Sequence, residues 1–549
     1  MSRTLSRRLS AAVVALTLLS AATVAAQPAE GKAQGLSPAE QKLTKHITID
    51  AIKRYTAALA ADDMEGRGTG QPGGDKAATW LASEFKRLGM APLGDKGSYL
   101  QSVPFTQSVT PAASTFKVGG HMLTLGTEWA TLALPSDTLM LNADLVFVGY
   151  GVVDEALHRN DLAGIDLNGK IAVIFQDRPA NVSEAAWAAP GVKRYETLAA
   201  AGVKALIFIE NGRGAMPVGL LVDYFSRPRN IPEGGSPQPA PAHLPLLGLN
   251  DGAAAMLFET SGMTHKVAFA LAERDDFRAI DLKRKAEIAV EITTSKVTSS
   301  NVIGVFEGSD PTLKAEAVVF TAHYDAYGNV RGKIYNGAAD NAIGVAEMLA
   351  TAEAFSKMKP RPKRSLIFLA TTGEEYGLTG SRYWATHPTW PIEKVAANLN
   401  LDGIGTEIFG PVKQVIGFGA EHSSIGPMLD EVTRAYGITI MADPIPEQGV
   451  FKRSDHYSFV ERGVPSLMLV GAQEGPKEAF VKAFYDWEAV YYHQPADDIY
   501  PNWHWPGART VADMMALLGL RLAEQPQMPT WAATSPFKDL KRGNTEKLP

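Results

Sequence analysis

Hydrophobic positions recur along the chain with two different periods, and the change of period divides it. Residues 47–59 and 75–88 carry the helical spacing. In the second stretch Ala77, Leu81, Phe85 and Leu88 fall at i, i+4, i+8 and i+11, and Gly89 follows as a C-cap. Between these helices residues 62–74 read as a glycine-rich loop containing Glu65-Gly66-Arg67-Gly68. From about 135 to 295 the pattern shortens to β-rich runs at 145–148, 171–175 and 205–209, with a helix near 192–201 and a long Pro/Gly-rich excursion over 213–247. This predicts a compact insert with its own sheet, entered and left through loops. After Asn301 the order becomes βαβα: strands at 317–321, 365–370, 395–401 and 465–470 alternate with helices at 342–357, 424–436 and 510–523. The helix at 342–357 places Val345, Met348, Leu349, Ala352 and Phe355 on one face. Such alternation predicts an α/β fold, a mostly parallel or mixed sheet with helices on both faces.

Composition narrows the classes of function. The 549 residues are 45% hydrophobic and 20% charged, a globular composition. No cysteine is present, which removes disulfide scaffolds, thiolate zinc fingers, iron–sulfur clusters and cysteine nucleophiles. A net charge of −6 without a dense basic run argues against nucleic acid as a partner. At the amino terminus Arg3, Arg7 and Arg8 precede an apolar stretch, residues 11–26, that closes with Val24-Ala25-Ala26. That order is the one of a secretory signal, so the chain is expected to be exported, periplasmic or secreted, with no membrane contact after signal removal. An anchoring span is the competing reading, but the stretch is short and carries Ser and Thr. The expected organisation is a signal at 1–26, a first catalytic-domain segment at 27–134, the insert at 135–295, a second catalytic-domain segment at 296–525 and a polar tail at 526–549.

The candidate chemistry gathers where the strands end. In doubly wound sheets, ligands bind beyond the carboxyl ends of the strands. The run at 317–321 leads into His323-Tyr324-Asp325, that at 365–370 into Gly373-Glu374-Glu375, and that at 395–401 into Asp402. Asp340-Asn341 introduces a helix, and Tyr492-His493 arrives late in the chain. Carboxylates so placed repel one another unless cations neutralise them. Oxygen and imidazole donors without thiolate suit zinc in a catalytic site, two ions sharing a bridging carboxylate being one common form. His323 and Asp325 are two apart and point the same way from an extended backbone. One can touch metal while the other fixes the imidazole tautomer. His456, beside Asp455, is read as a structural or pocket-wall residue rather than a ligand.

The series His323-x-Asp325, Asp340-Asn341, Glu374-Glu375, Asp402 and Tyr492-His493 resembles the co-catalytic zinc aminopeptidases of metallopeptidase family 28. Residues 62–67 look like the family's amino-terminal segment, Arg453-Ser454-Asp455-His456 like its late loop, and the insert like a protease-associated domain. The resemblance implies two zinc ions per chain. One would be held by His323 and Asp402, the other by Glu375 and His493, with Asp340 bridging. It further implies Glu374 as general base, Tyr492 as a stabiliser of the oxyanion, Asp325 as the orienter of His323, and a cis peptide between Asp340 and Asn341. The expected activity is removal of amino-terminal residues from peptides. A carboxypeptidase or dipeptidase on the same scaffold is the alternative, and a non-catalytic binding protein a more distant one.

Overall fold

A computed structural model describes residues 35–187, 193–213, 217–233, 240–403 and 405–546. The expected signal at 1–26 lies outside them. Hydrophobic runs of the second catalytic segment form the middle of a ten-stranded mixed sheet. Its centre is parallel: Ser365–Thr371, Ala317–His323, Val395–Asn400 and Ser466–Ala472 lie side by side in that order. All four strands are buried along their length, which is why they read as continuous apolar runs rather than alternating ones. Antiparallel strands extend the sheet on both sides. Leu100–Val109 and Thr293–Phe306 flank Ser365–Thr371, and Gln414–Phe418 with Thr439–Met441 flank Ser466–Ala472.

Helices cover both faces. One face carries Ile49–Leu59, Pro72–Arg87, Ile343–Ser356, Ile425–Ala435 and Trp505–Glu524, joined by the larger core cluster. The other packs Trp384 of Thr379–Thr386 and Phe459 of His456–Val460 against Ile303, Val319 and Ile367. The helix Ile343–Ser356 is buried on nearly every side, so its apolar character goes beyond one stripe. The helix Trp505–Glu524 approaches the sheet so closely at Gly519 that a Cβ there would stand 2.2 Å from Phe320 Cζ. Phe320 in turn stacks on Phe368 with ring centroids 4.9 Å apart. Only glycine permits that separation of helix and strand.

The insert has its own eight-stranded sheet, and its boundaries differ from those read in the sequence. Thr115–Val118 and Trp129–Ala133 belong to the insert sheet, so the insert begins some twenty residues before 135. It ends with Ile280–Glu291, after which Thr293–Phe306 returns to the main sheet. These first strands are short and interrupted by turns, so their period gave no boundary. The excursion also folds back: Arg229–Pro232 pairs antiparallel with Leu100–Val109 at the edge of the main sheet.

The expected polar tail at 526–549 is a second correction. Trp531 and Phe537 pack with Leu378, Tyr457 and Val460. Arg542 donates hydrogen bonds to the carbonyls of Val395, Ala396 and Pro529 at 2.8, 2.9 and 2.8 Å. Two aromatic side chains suffice to hold an otherwise polar segment when its backbone finds partners on the domain. Among the described residues no helix is long and apolar enough to cross a membrane.

Candidate metal centre

The strands deliver their terminal side chains to one place. His323 closes the strand Ala317–His323, Glu374 and Glu375 follow Ser365–Thr371, and Asp402 follows Val395–Asn400. Asp340 precedes the helix Ile343–Ser356, and His493 lies beyond the helix Lys477–Glu488. The peptide between Asp340 and Asn341 is cis. Asp340 faces two imidazoles at once: Oδ1 is 3.2 Å from His323 Nε2 and Oδ2 is 3.3 Å from His493 Nε2. Asp402 Oδ1 lies 3.4 Å from His323 Nε2, and Glu375 Oε2 lies 3.0 Å from His493 Nε2. Two groups of donors result, His323–Asp340–Asp402 and Asp340–Glu375–His493, each with its ligand atoms within 4.8 Å of one another. They share Asp340.

These residues fit divalent cations better than they fit one another. Glu375 Oε1 and Asp402 Oδ1 are buried without a hydrogen-bond donor among the described residues, a costly arrangement unless a ligand completes it. Without metal, protons serve as the counter-charge. Burial disfavours a protonated His493, but Glu375 and Asp340 outweigh it and push the imidazole up to about 9. Burial alone would raise the Asp340 carboxyl, yet His323 and His493 hold it well below the usual carboxylate range. Three carboxylates and two imidazoles of nitrogen and oxygen character make a donor set that zinc accepts.

Surrounding groups fix the loops that carry these side chains. Asp497 accepts hydrogen bonds from the backbone N–H groups of Ala339 at 2.8 Å and Asp340 at 3.0 Å. Asn341 Nδ2 donates to the Leu401 carbonyl at 2.9 Å, tying the Asp340 turn to the strand that ends at Asp402. Arg67, fully buried, donates to the carbonyls of Tyr324, Leu59, Asn336 and Gly337 at 2.6–2.8 Å and so straps two ligand-bearing loops together. Ser454 donates to Asp402 Oδ2 and accepts from Asn400 Nδ2 at 2.7 Å. None of these bonds is local in sequence. The glycine-rich segment around Arg67 and the Arg453–His456 segment were the only hints of them.

Asp325 lies beside the His323 ring and also holds a second group. Its carboxylate Oδ1 stands 3.8 Å from His323 Nδ1, while its own backbone carbonyl is nearer at 3.2 Å. The carboxylate accepts from the Glu374 N–H at 3.2 Å and from Thr69 Oγ1 at 2.9 Å. Asp325 therefore anchors the peptide of Glu374 as well as lying beside the His323 ring. His456 is fully buried, and burial depresses its pKa to about 4. It is a neutral wall residue.

Beside the donor groups opens a cavity. Asp340, Glu374, Asp402 and Tyr492 line one part of it. Ile416, Phe418, Ile445, Val450, Met468, Val470, Phe480 and Phe484 line much of the rest. The Glu374 carboxyl is driven well above the ordinary range, first by burial and then by Asp402 and Glu375, with His323 opposing. Tyr492 is held far above the ordinary phenol value, first by burial and then by Asp340 and Glu375, so it stays a neutral O–H donor. The excursion of the insert reaches the same region. Tyr224 packs edge-on against Tyr327, and Arg227 donates to the carbonyl of His493 at 3.0 Å.

Comparison with known proteins agrees with this architecture. The aminopeptidase from Aneurinibacillus sp. strain AM-1 superposes over 89% of this chain and 97% of its own, with a TM-score of 0.55 and 22% identity. A zinc aminopeptidase from Bacillus subtilis superposes over 90% and 99%, with a TM-score of 0.56 and 18% identity. At these identities the likeness establishes the fold. A probable glutamate carboxypeptidase from Arthroderma benhamiae is 27% identical over 252 residues, covering 42% of this chain and 31% of the relative. A vacuolar membrane protease from Lodderomyces elongisporus is 26% identical over 207 residues, covering 38% and 19%. The chain thus spans less than a third of the length of either relative. Residues 301–519 match the model of Peptidase family M28. This segment holds all five converging side chains, so the likeness to peptidase family M28 falls on the part of the chain that carries the site.

Proposed function

We propose that the protein is an exported zinc-dependent exopeptidase that removes amino-terminal residues from peptides. The observation that carries the reading is the pair of donor groups sharing Asp340 and opening, with Glu374 and Tyr492, into one largely apolar cavity. His323 and Asp402 would hold one zinc and Glu375 and His493 the other, with Asp340 common to both. Zinc bound there supplies Lewis acidity, polarising the scissile carbonyl and making water nucleophilic near neutral pH. Glu374 takes the proton of the attacking water and returns it to the departing amine. The Tyr492 hydroxyl donates to the oxygen that gains charge as the carbonyl becomes tetrahedral. Asp325 keeps Glu374 in place through the peptide N–H.

The apolar walls suggest which substrates gain most. Burying a leucine- or phenylalanine-sized side chain contributes about 1.5–3 kcal/mol, or roughly 10–100-fold in kcat/KM over a glycyl substrate. A panel of aminoacyl and carboxyl-terminal reporters, each with and without chelator, tests the proposal. The expected result is chelator-sensitive turnover of bulky apolar aminoacyl reporters, with acidic ones slower. Turnover confined to carboxyl-terminal reporters would favour the carboxypeptidase alternative, to which the 27% identity with a probable glutamate carboxypeptidase lends support.

A further inference from the structure

We propose that Arg227, which belongs to the insert, is a positioning residue for the metal position formed by Glu375 and His493, so that the insert is part of that position. The inference rests on the reading of His493 as a metal ligand. Arg227 is 4% exposed and lies 266 residues before His493 in the chain. It is held from both sides. The preceding helix Val218–Phe225 packs Val218 and Val222 on Ala130 of the insert, and the following strand Arg229–Pro232 pairs with the main sheet.

The guanidinium acts on both ends of His493. Nη2 donates to the His493 carbonyl at 3.0 Å and is paired with Asp223 Oδ2 at 2.5 Å. His493 has φ +58°, a left-handed conformation that a non-glycine residue keeps only where its surroundings fix it. The hydrogen bond to its carbonyl is such a fixture. On the other side, the guanidinium lies 4.3 Å from the ring centroid of Tyr327 and 4.4 Å from that of Tyr335. Tyr327 places its hydroxyl 3.1 Å from His493 Nδ1, the ring nitrogen turned away from Asp340 and Glu375. Tyr335 donates to Asp223 at 3.2 Å and closes the ring of contacts. Among the described residues Nε and Nη1 of Arg227 have no hydrogen-bond partner, and this buried cation meets Asp223, one carbonyl and two aromatic faces. A metal-binding imidazole is oriented through its second nitrogen, and losing such an outer partner typically weakens metal binding 10–100-fold.

The test is a zinc titration of the full-length, metal-stripped chain against a chromophoric chelator, for the native protein, Arg227→Ala, Arg227→Lys and Tyr327→Phe. The proposal expects Arg227→Ala to bind one zinc as the native protein does and the other roughly 10–100-fold more weakly. Its turnover should recover as zinc is added, with KM little changed. Arg227→Lys, which keeps a cation but not the planar fork, should fall between. If Arg227→Ala proves unstable on thermal melting, Tyr327→Phe carries the test, because it removes one hydroxyl and should weaken the same single position. Unchanged affinity at both positions, or equal weakening of both, overturns the proposal. A native chain that binds no zinc overturns instead the metal reading beneath it.

Discussion

Replacing Glu374 by glutamine will abolish most turnover and leave the metal content intact. Glutamine keeps the size of the side chain but cannot accept the proton of the attacking water, and losing a general base of this kind costs about 10²–10⁴-fold in kcat. That corresponds to roughly 3–5 kcal/mol of transition-state stabilisation. The backbone bond from the Glu374 N–H to Asp325 is untouched by the change, so the loop should keep its shape. The pH profile supplies a second readout. A base works only when deprotonated; burial raises the proton affinity of the Glu374 carboxyl, and bound zinc would lower it. Native kcat/KM should therefore rise with pH along the acid limb as Glu374 loses its proton, and the variant should lose that rise. Glu375→Gln should behave oppositely, losing zinc at one position and partly recovering when zinc is supplied. The check is zinc stoichiometry measured beside kcat for both variants; metal lost from Glu374→Gln and kept by Glu375→Gln would exchange the two roles.

Asp340→Ala should have the broader effect. Its two carboxylate oxygens face different imidazoles, so its removal takes one donor from each group at once. His323 and Asp402 remain on one side and Glu375 and His493 on the other, two protein donors each where catalytic zinc ordinarily has three. Both positions should weaken together, with activity lost and not restored by zinc at concentrations that rescue Glu375→Gln. The turn itself should persist, because Asp497 holds the backbone N–H groups of residues 339 and 340 rather than the side chain. Elemental analysis after dialysis against native-like zinc concentrations measures this, and a variant that retained two ions would remove Asp340 from its bridging role.

The parts of this molecule that were legible beforehand are those with a local signature. Four central strands are buried throughout and therefore announced themselves as apolar runs, and three of them ended next to a residue with metal-binding chemistry. What escaped depends on contacts between distant segments. Leu100–Val109 alternates buried and exposed positions too irregularly to read as a strand, yet it joins two other segments into one sheet edge. Trp531 and Phe537 are two apolar anchors in a polar stretch, and no period marks them. Within the site, Arg67, Ser454, Asp497 and Arg227 act through hydrogen bonds to backbone or carboxylate groups dozens to hundreds of residues away. The carboxylate of Asp325 shows the limit of spacing arguments. Its distance in sequence from His323 pointed to the imidazole, which it lies beside, but gave no sign that the turn after Thr371 also brings the Glu374 N–H to it.

The central claim is that two metal ions share Asp340 in one catalytic site. The most direct measurement is anomalous diffraction from zinc-loaded crystals of the full-length protein, recorded above and below the zinc edge. The account predicts two zinc peaks per chain, one among His323, Asp340 and Asp402 and the other among Asp340, Glu375 and His493. A single peak, or zinc bound away from these five side chains, would contradict it.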